Sequence, residues 1–105
     1  MPARIPIVED EQIVAMDIQR TLRALGHIVP KLVATGADAV ETSETMRPDL
    51  VLMDIRLSGP MDGITAAHVI RERLDIPVVY LTAHADLDTL ARAKLTEPFG
   101  YSITR

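Results

Sequence analysis

The stretch that decides the fold is Leu50–Asp54, with the sequence LVLMD, in which four apolar residues run directly into a carboxylate. Pro48 and Asp49 precede this run, and Gly59 and Pro60 follow it closely. A short apolar run bounded by turn residues is typical of a strand covered on both faces, as in a parallel sheet. Asp54 is therefore predicted at the carboxyl end of a buried strand, the edge at which open α/β sheets bind ligands.

Other short apolar runs predict the remaining strands of the sheet. Ile5–Val8 runs into Glu9 and Asp10, Val78–Leu81 runs into Thr82, and Tyr101–Ile103 begins a last strand. The segment from His27 to Ala34 also resembles a strand, but Pro30 removes a ladder donor and predicts an edge position. Pro6 costs a similar donor in the first strand, where a central position is expected.

Apolar residues recur at helical spacing between the strands, in segments near 11–25, 37–46, 64–74 and 85–94. Asp10 and Asp62 are predicted to cap the first and third of these helices, and Gly26 suits the end of the first. Regular alternation of strands and helices predicts an α/β fold with a doubly wound parallel sheet.

The composition is that of an ordinary globular chain, with 105 residues, 48% hydrophobic and 25% charged. This length predicts a single domain over residues 1–105. The absence of cysteine argues against a disulfide framework or a thiolate metal site. No signal peptide or membrane span is recognisable, so a cytoplasmic location is expected. With a net charge of −4 and scattered basic residues, we expect no nucleic-acid binding through this chain.

If the first and third strands are neighbours, Glu9, Asp10 and Asp54 face one another at a single sheet edge. Each pair of charges would repel by roughly 4 kcal/mol at about 4 Å and an effective dielectric constant of about 20. At least one of the carboxyl groups should therefore have a raised pKa. Mg²⁺ would relieve the repulsion, and it prefers a few carboxylates together with phosphate oxygens. The arrangement suits a metal-assisted phosphoryl transfer in which Asp54 is the nucleophile.

These residues resemble the receiver domain of two-component response regulators. The resemblance runs in order from Arg4 to about Ile103 and is carried by Val8–Glu11, Leu50–Ile55, Met61–Ile64, Tyr80–His84 and Gly100-Tyr101. It implies a flavodoxin-like, parallel, five-stranded sheet in the order 2-1-3-4-5. It also implies a phosphoacceptor signalling domain rather than an enzyme, with a sensor histidine kinase or a phosphotransfer protein as its partner.

The resemblance assigns the metal and acceptor roles by position. Asp54 would be the phosphoacceptor and would bind Mg²⁺ directly together with Asp10. Glu9 would reach the ion through water, and the backbone carbonyl of Arg56 would be another ligand.

Further roles follow from the same resemblance. Thr82 would donate a hydrogen bond to the phosphoryl group, and Tyr101 would be the aromatic residue whose rotamer reports phosphorylation. Arg56 and His84 lie two residues after the phosphoacceptor and the threonine, where the family tunes the lifetime of the acyl phosphate.

The chain departs from the family pattern near its end. Thr104 and Arg105 stand where the family has a lysine followed by proline, and neither Lys31 nor Lys94 aligns with that lysine. The last helix of the fold is also missing, so the domain is expected to be C-terminally incomplete. The uncovered sheet face should expose an apolar patch, from which we predict a homo-oligomer.

Several alternatives stay open from the sequence. The missing lysine favours a phosphorylation-independent pseudo-receiver that serves as a protein-interaction module. Locally, Glu9 and Asp10 would serve as a helix cap, Asp54 as a turn residue and Tyr101 as ordinary packing. A flavin or nucleotide binder is disfavoured because acidic residues follow the first strand where a phosphate-binding turn would lie. A haloacid-type phosphatase is disfavoured because Arg56 replaces its second aspartate.

Overall fold

The computed structural model describes residues 2–81 and the backbone of residues 100–103. The elements are β1 Ile7–Val8, α1 Gln12–Ala24, β2 Leu32–Val33, α2 Gly36–Met46, β3 Val51–Asp54, α3 Gly63–Leu74, β4 Val78–Leu81 and β5 Gly100–Ile103. The predictions for Thr82, His84, the segment 85–94, Thr104 and Arg105 lie outside the described residues. None of the helices that are described has the length and apolar character needed to cross a bilayer.

The described strands form one parallel sheet in the order β2-β1-β3-β4-β5, which confirms the predicted order. In the centre of the sheet, Val8 of β1 pairs with Met53 of β3. β2 lies at an edge, as Pro30 predicted.

Alternate residues of the strands enter two apolar cores, one on each side of the sheet. Val51, Met53 and Tyr80 point to the side that α2 and α3 cover. Leu52 and Leu81 point to the other side, where α1 supplies Ala15, with further apolar side chains packed around it. Because β3 is buried on both faces, its sequence is continuously apolar until Asp54.

The helix ends follow local signals in α2 and α3. The Thr35 hydroxyl accepts a hydrogen bond from the Asp38 amide at 3.1 Å, and the Asp62 carboxylate accepts one from the Thr65 amide at 2.8 Å. The prediction that Asp62 caps α3 is therefore confirmed.

The predicted cap of α1 is wrong. Its N-cap residue is Glu11, which makes no side-chain capping hydrogen bond. Asp10 instead accepts a hydrogen bond from Ser58, far away in sequence. At the other end, Gly26 follows the C-cap with a φ of +93°, a conformation that favours glycine, so the predicted stop is confirmed.

Pro6 lies immediately before β1, and its effect on the sheet is confined to one hydrogen bond. The amides of Ile5 and Ile7 both donate to the chain that leads into β2, whereas the carbonyl of Pro6 accepts from the Leu52 amide of β3. The donor that proline lacks therefore faces β3, and the regular pairing of β1 begins one residue later.

The predicted exposure of the sheet face beside α1 is not found at its central positions, while Val79 of β4 on the same face is only partly buried. Ile7, Leu52 and Leu81 are no more than 2% exposed. The large exposed apolar side chains among the described residues lie on α1 and in the segment that follows it: Ile13, Met16, Leu25 and Ile28.

Candidate functional site

The pairing of β1 with β3 brings the acids that follow the first strand next to the acid that ends the third. Val8 pairs with Met53, so Glu9 and Asp10 leave β1 at the level of Asp54. One carboxylate oxygen from each of the three residues lies within 4.8 Å of the others. The prediction that Glu9, Asp10 and Asp54 gather at one sheet edge is confirmed.

Glu9 is the buried member of the β1 pair, with 3% of its surface exposed. Its Oε2 accepts a hydrogen bond from the Glu11 amide at 3.1 Å. Burial, the largest cause, and Asp54 beside it together raise the pKa of Glu9 from 4.5 to about 7, against the opposing effect of the Glu11 amide. The sequence predicted at least one raised pKa in the cluster, and the pKa of Glu9 is raised.

Asp10 is exposed, and its environment acts in the opposite direction. The Ser58 hydroxyl donates a 2.7 Å hydrogen bond to Oδ2 of Asp10 and holds the pKa of this carboxyl below its ordinary value. Sequence reasoning did not single out Ser58. The available signal was a hydroxyl in the loop directly after β3, at the same edge of the sheet as the acids.

Asp54 is the last residue of β3 and is 7% exposed. Its Oδ1 accepts a hydrogen bond from the backbone amide of Arg56 at 3.2 Å. The first residue of α3, Gly63, lies against the same turn, and its amide donates to the Ile55 carbonyl at 3.0 Å. The end of β3 is thus held between its own loop and the N-terminus of α3.

The donor set fits a hard divalent cation. Three carboxyl groups offer oxygen ligands from one small region, and oxygen is the ligand type that Mg²⁺ requires. Burial and the neighbouring Asp54 raise the pKa of Glu9, and a nearby cation would oppose both effects. An ion bound here would also favour the ionised form of Glu9.

The structure describes some of the other predicted site residues and not others. Arg56 is exposed, and its backbone amide contacts Asp54, while its predicted role as a carbonyl ligand stays a prediction. Tyr101 lies in β5 beside β4, with only its backbone described. Thr82 and His84 lie outside the described residues.

Comparison with known proteins gives a family match over nearly the whole chain. The family model of the response regulator receiver domain matches residues 5–101. The transcriptional regulatory protein PdtaR of Mycobacterium tuberculosis is 37% identical over 109 residues, which cover 97% of this chain and 53% of PdtaR. The phyllosphere-induced regulator PhyR of Methylorubrum extorquens is 36% identical over 87 residues, covering 82% of this chain and 33% of PhyR. The chain thus spans about half of PdtaR and about a third of PhyR.

Solved structures agree with the fold. The signal receiver domain of a modulated diguanylate cyclase from Desulfovibrio desulfuricans G20 superposes with a TM-score of 0.92 at 32% identity, covering 100% of this chain and 82% of that one. A two-component response regulator of the LuxR family from Aurantimonas sp. SI85-9A1 gives a TM-score of 0.87 at 30% identity, covering 99% and 74%.

Proposed function

Because this chain belongs to the response regulator receiver domain family, we propose that it accepts a phosphoryl group on Asp54 from a sensor histidine kinase or a phosphotransfer protein. The observation that carries the proposal is the gathering of Glu9, Asp10 and Asp54, whose oxygens lie within 4.8 Å of one another. A helix cap or an ordinary turn residue would not require this convergence.

In the proposed reaction, a carboxylate oxygen of Asp54 attacks the phosphorus of a phosphohistidine in line with the bond that breaks. A new oxygen–phosphorus bond forms, the nitrogen–phosphorus bond breaks, and the imidazole leaves with the electron pair and takes up a proton. Asp54 needs no general base, since an ionised carboxylate is already a nucleophile. When bound, Mg²⁺ supplies neutralisation of charge on the transferring group.

The residues that would hold the ion follow from the family resemblance and the geometry together. Asp10 and Asp54 would bind it directly, Glu9 through water, and Arg56 through its backbone carbonyl. The amide of Arg56 already donates to Oδ1 of Asp54, so the turn after β3 fixes the orientation of the acceptor.

The response to phosphorylation is proposed from the sequence positions alone. Thr82 follows β4, the strand beside β3, and its hydroxyl would donate to the new phosphoryl group. The rotamer of Tyr101 would report this change at β5, the next strand of the sheet. Arg56 and His84 would set the lifetime of the acyl phosphate.

A second candidate is a pseudo-receiver that binds a protein partner without being phosphorylated. It is favoured by Thr104, which stands where the family has a lysine that pairs first with the acceptor carboxylate and then with the phosphoryl group. Without this lysine, one positive charge fewer would offset the negative charge of the phosphoryl group.

Intact-mass measurement after incubation with acetyl phosphate and Mg²⁺ separates the two candidates. We expect the parent chain to gain the mass of one phosphoryl group, and we expect no gain in Asp54→Asn or in the parent with excess chelator. Asp38→Asn is the matched control, because Asp38 is an exposed carboxylate in the first turn of α2, and it should be modified like the parent. An unmodified parent chain that still binds Mg²⁺ would favour the pseudo-receiver.

A further inference from the structure

Each carboxylate of the acidic cluster has one oxygen fixed by a hydrogen bond, but the donors differ in kind. Glu9 accepts from the backbone amide of Glu11, and Asp54 accepts from the backbone amide of Arg56. Asp10 accepts from a side chain outside the cluster, the hydroxyl of Ser58, at 2.7 Å. The orientation of Asp10 therefore depends on the chemical identity of another residue.

We propose that Ser58 is a positioning residue of the magnesium site that holds the Asp10 carboxylate in the cluster. The inference rests on the proposed function, because it assumes that the cluster binds Mg²⁺. Asp10 needs such support most, since Glu9 and Asp54 are 3% and 7% exposed whereas Asp10 is exposed to solvent. An exposed carboxylate without a fixed partner samples several rotamers, and only some of them point towards Glu9 and Asp54.

The loop that carries Ser58 is itself fixed to the sheet. Ser58 forms a parallel β-bridge with Thr35, the residue that caps α2. A few residues later the loop passes close to the start of α2, where a Cβ at Gly36 would lie only 2.7 Å from the carbonyl oxygen of Met61. The backbone that carries the Ser58 hydroxyl is thus held in place by its contacts with Thr35 and with the start of α2.

The physical effect is that of an outer-shell partner on a metal ligand. A hydrogen bond to a charged carboxylate fixes its direction before the ion arrives, so less conformational freedom is lost on binding. Removing an outer-shell partner of this kind typically weakens metal binding by about 10- to 100-fold.

The test is the dissociation constant of Mg²⁺, measured by isothermal titration calorimetry at neutral pH and fixed ionic strength. We expect Ser58→Ala to weaken binding by about 10-fold, at the low end of that range because Asp10 is exposed. Ser58→Thr keeps the hydroxyl and should bind within about threefold of the parent. Thr45→Ala removes another exposed hydroxyl, one that donates to the Glu41 carbonyl within α2, and should leave binding unchanged.

Thermal unfolding of the same variants in excess chelator checks that each variant is folded, so that their Mg²⁺ affinities can be compared. Equal Mg²⁺ affinity in Ser58→Ala and the parent would overturn the inference while leaving the proposed function intact. Equal weakening in Ser58→Ala and Ser58→Thr would also overturn it, because the hydroxyl would then not be the cause. A parent chain that binds no Mg²⁺ at millimolar concentration would overturn the inference and the phosphoacceptor proposal together.

Discussion

Glu9 and Asp10 are adjacent in the chain, yet their surroundings shift the pKa values of their carboxyl groups in opposite directions. Glu9 lies beneath the surface beside Asp54, so its charged form has lost water and gained a like charge. Asp10 stays in solvent and accepts a hydroxyl hydrogen bond, which favours its charged form. Of these two acids, Glu9 is therefore the one whose neutral form is favoured by its surroundings.

This burial predicts that the stability of the metal-free chain depends on pH through Glu9. Because the pKa of Glu9 is about 7 in the folded chain and 4.5 ordinarily, the unfolded chain releases this proton first as the pH rises. The free energy of unfolding should therefore fall between about pH 4.5 and pH 7, by at most about 3 kcal/mol from this group. Chemical denaturation in excess chelator at a series of pH values measures the change.

Glu9→Gln is the control that isolates this contribution from the other titrating groups. Gln keeps an oxygen that can accept the Glu11 amide but has no proton to release in this range. The difference in free energy of unfolding between Glu9→Gln and the parent should increase as the pH rises to 7. A difference that stays constant with pH would show that Glu9 is not the group responsible.

Among the elements, the contact between α3 and the end of β3 depends on the smallest side chain. A Cβ at Gly63 would overlap the carbonyl oxygen of Asp54 and lie 2.9 Å from the Cα of Ile55. Both neighbours are backbone atoms and cannot rotate away. Glycine at the start of α3 thus lets the helix approach the strand that carries the proposed phosphoacceptor.

Gly63→Ala should therefore destabilise the chain, although alanine is the better helix former. We expect the free energy of unfolding to fall by about 3 kcal/mol, at the upper end of the usual cost of overpacking. Denaturant unfolding with circular dichroism detection measures it.

Gly26→Ala is the matched comparison for this change. It places the same methyl group where nothing lies within 4 Å, so the expected cost of about 1 kcal/mol comes from the positive φ alone. Equal losses of stability in the two variants would contradict the steric explanation for Gly63.

The elements were predicted well where their signals are local. β4 has the predicted bounds, and α2 and α3 each begin one residue before the predicted first residue and end where expected. Capping hydroxyls and carboxylates, apolar spacing and glycine stops act within one or two turns of the chain. The cap of α1 was predicted wrongly because a contact with the β3–α3 loop competes for Asp10.

At the scale of the whole molecule, the large exposed apolar side chains of residues 2–81 lie on α1 and near its end. Ile13 is 84% exposed and Met16 is 46% exposed, and they lie three residues apart on α1, on one side of this helix. Leu25 and Ile28 are exposed beyond the last turn. Burial of Ile13 and Met16 between two copies of the chain would favour association.

The predicted homo-oligomer should therefore depend on α1. We expect the parent chain to sediment as a dimer or a larger species at high concentration, and Ile13→Glu combined with Met16→Gln to shift it towards the monomer. Analytical ultracentrifugation over a range of concentrations measures this. Leu25→Gln is a control at the opposite end of α1, and a parent chain that stays monomeric throughout would contradict the prediction.

The amino-acid sequence by itself determined the order of strands and helices and the sheet edge at which Glu9, Asp10 and Asp54 lie. The order along the chain follows from apolar runs and turn residues, which act locally, and the shared edge follows from the strand order that the family resemblance implied. Only the tertiary structure decided that Glu9 is buried whereas Asp10 is exposed, that Ser58 holds Asp10 across 48 residues, and that Gly63 sets the approach of α3. Each of these depends on distances between residues that are far apart in the chain, and no local pattern encodes such distances.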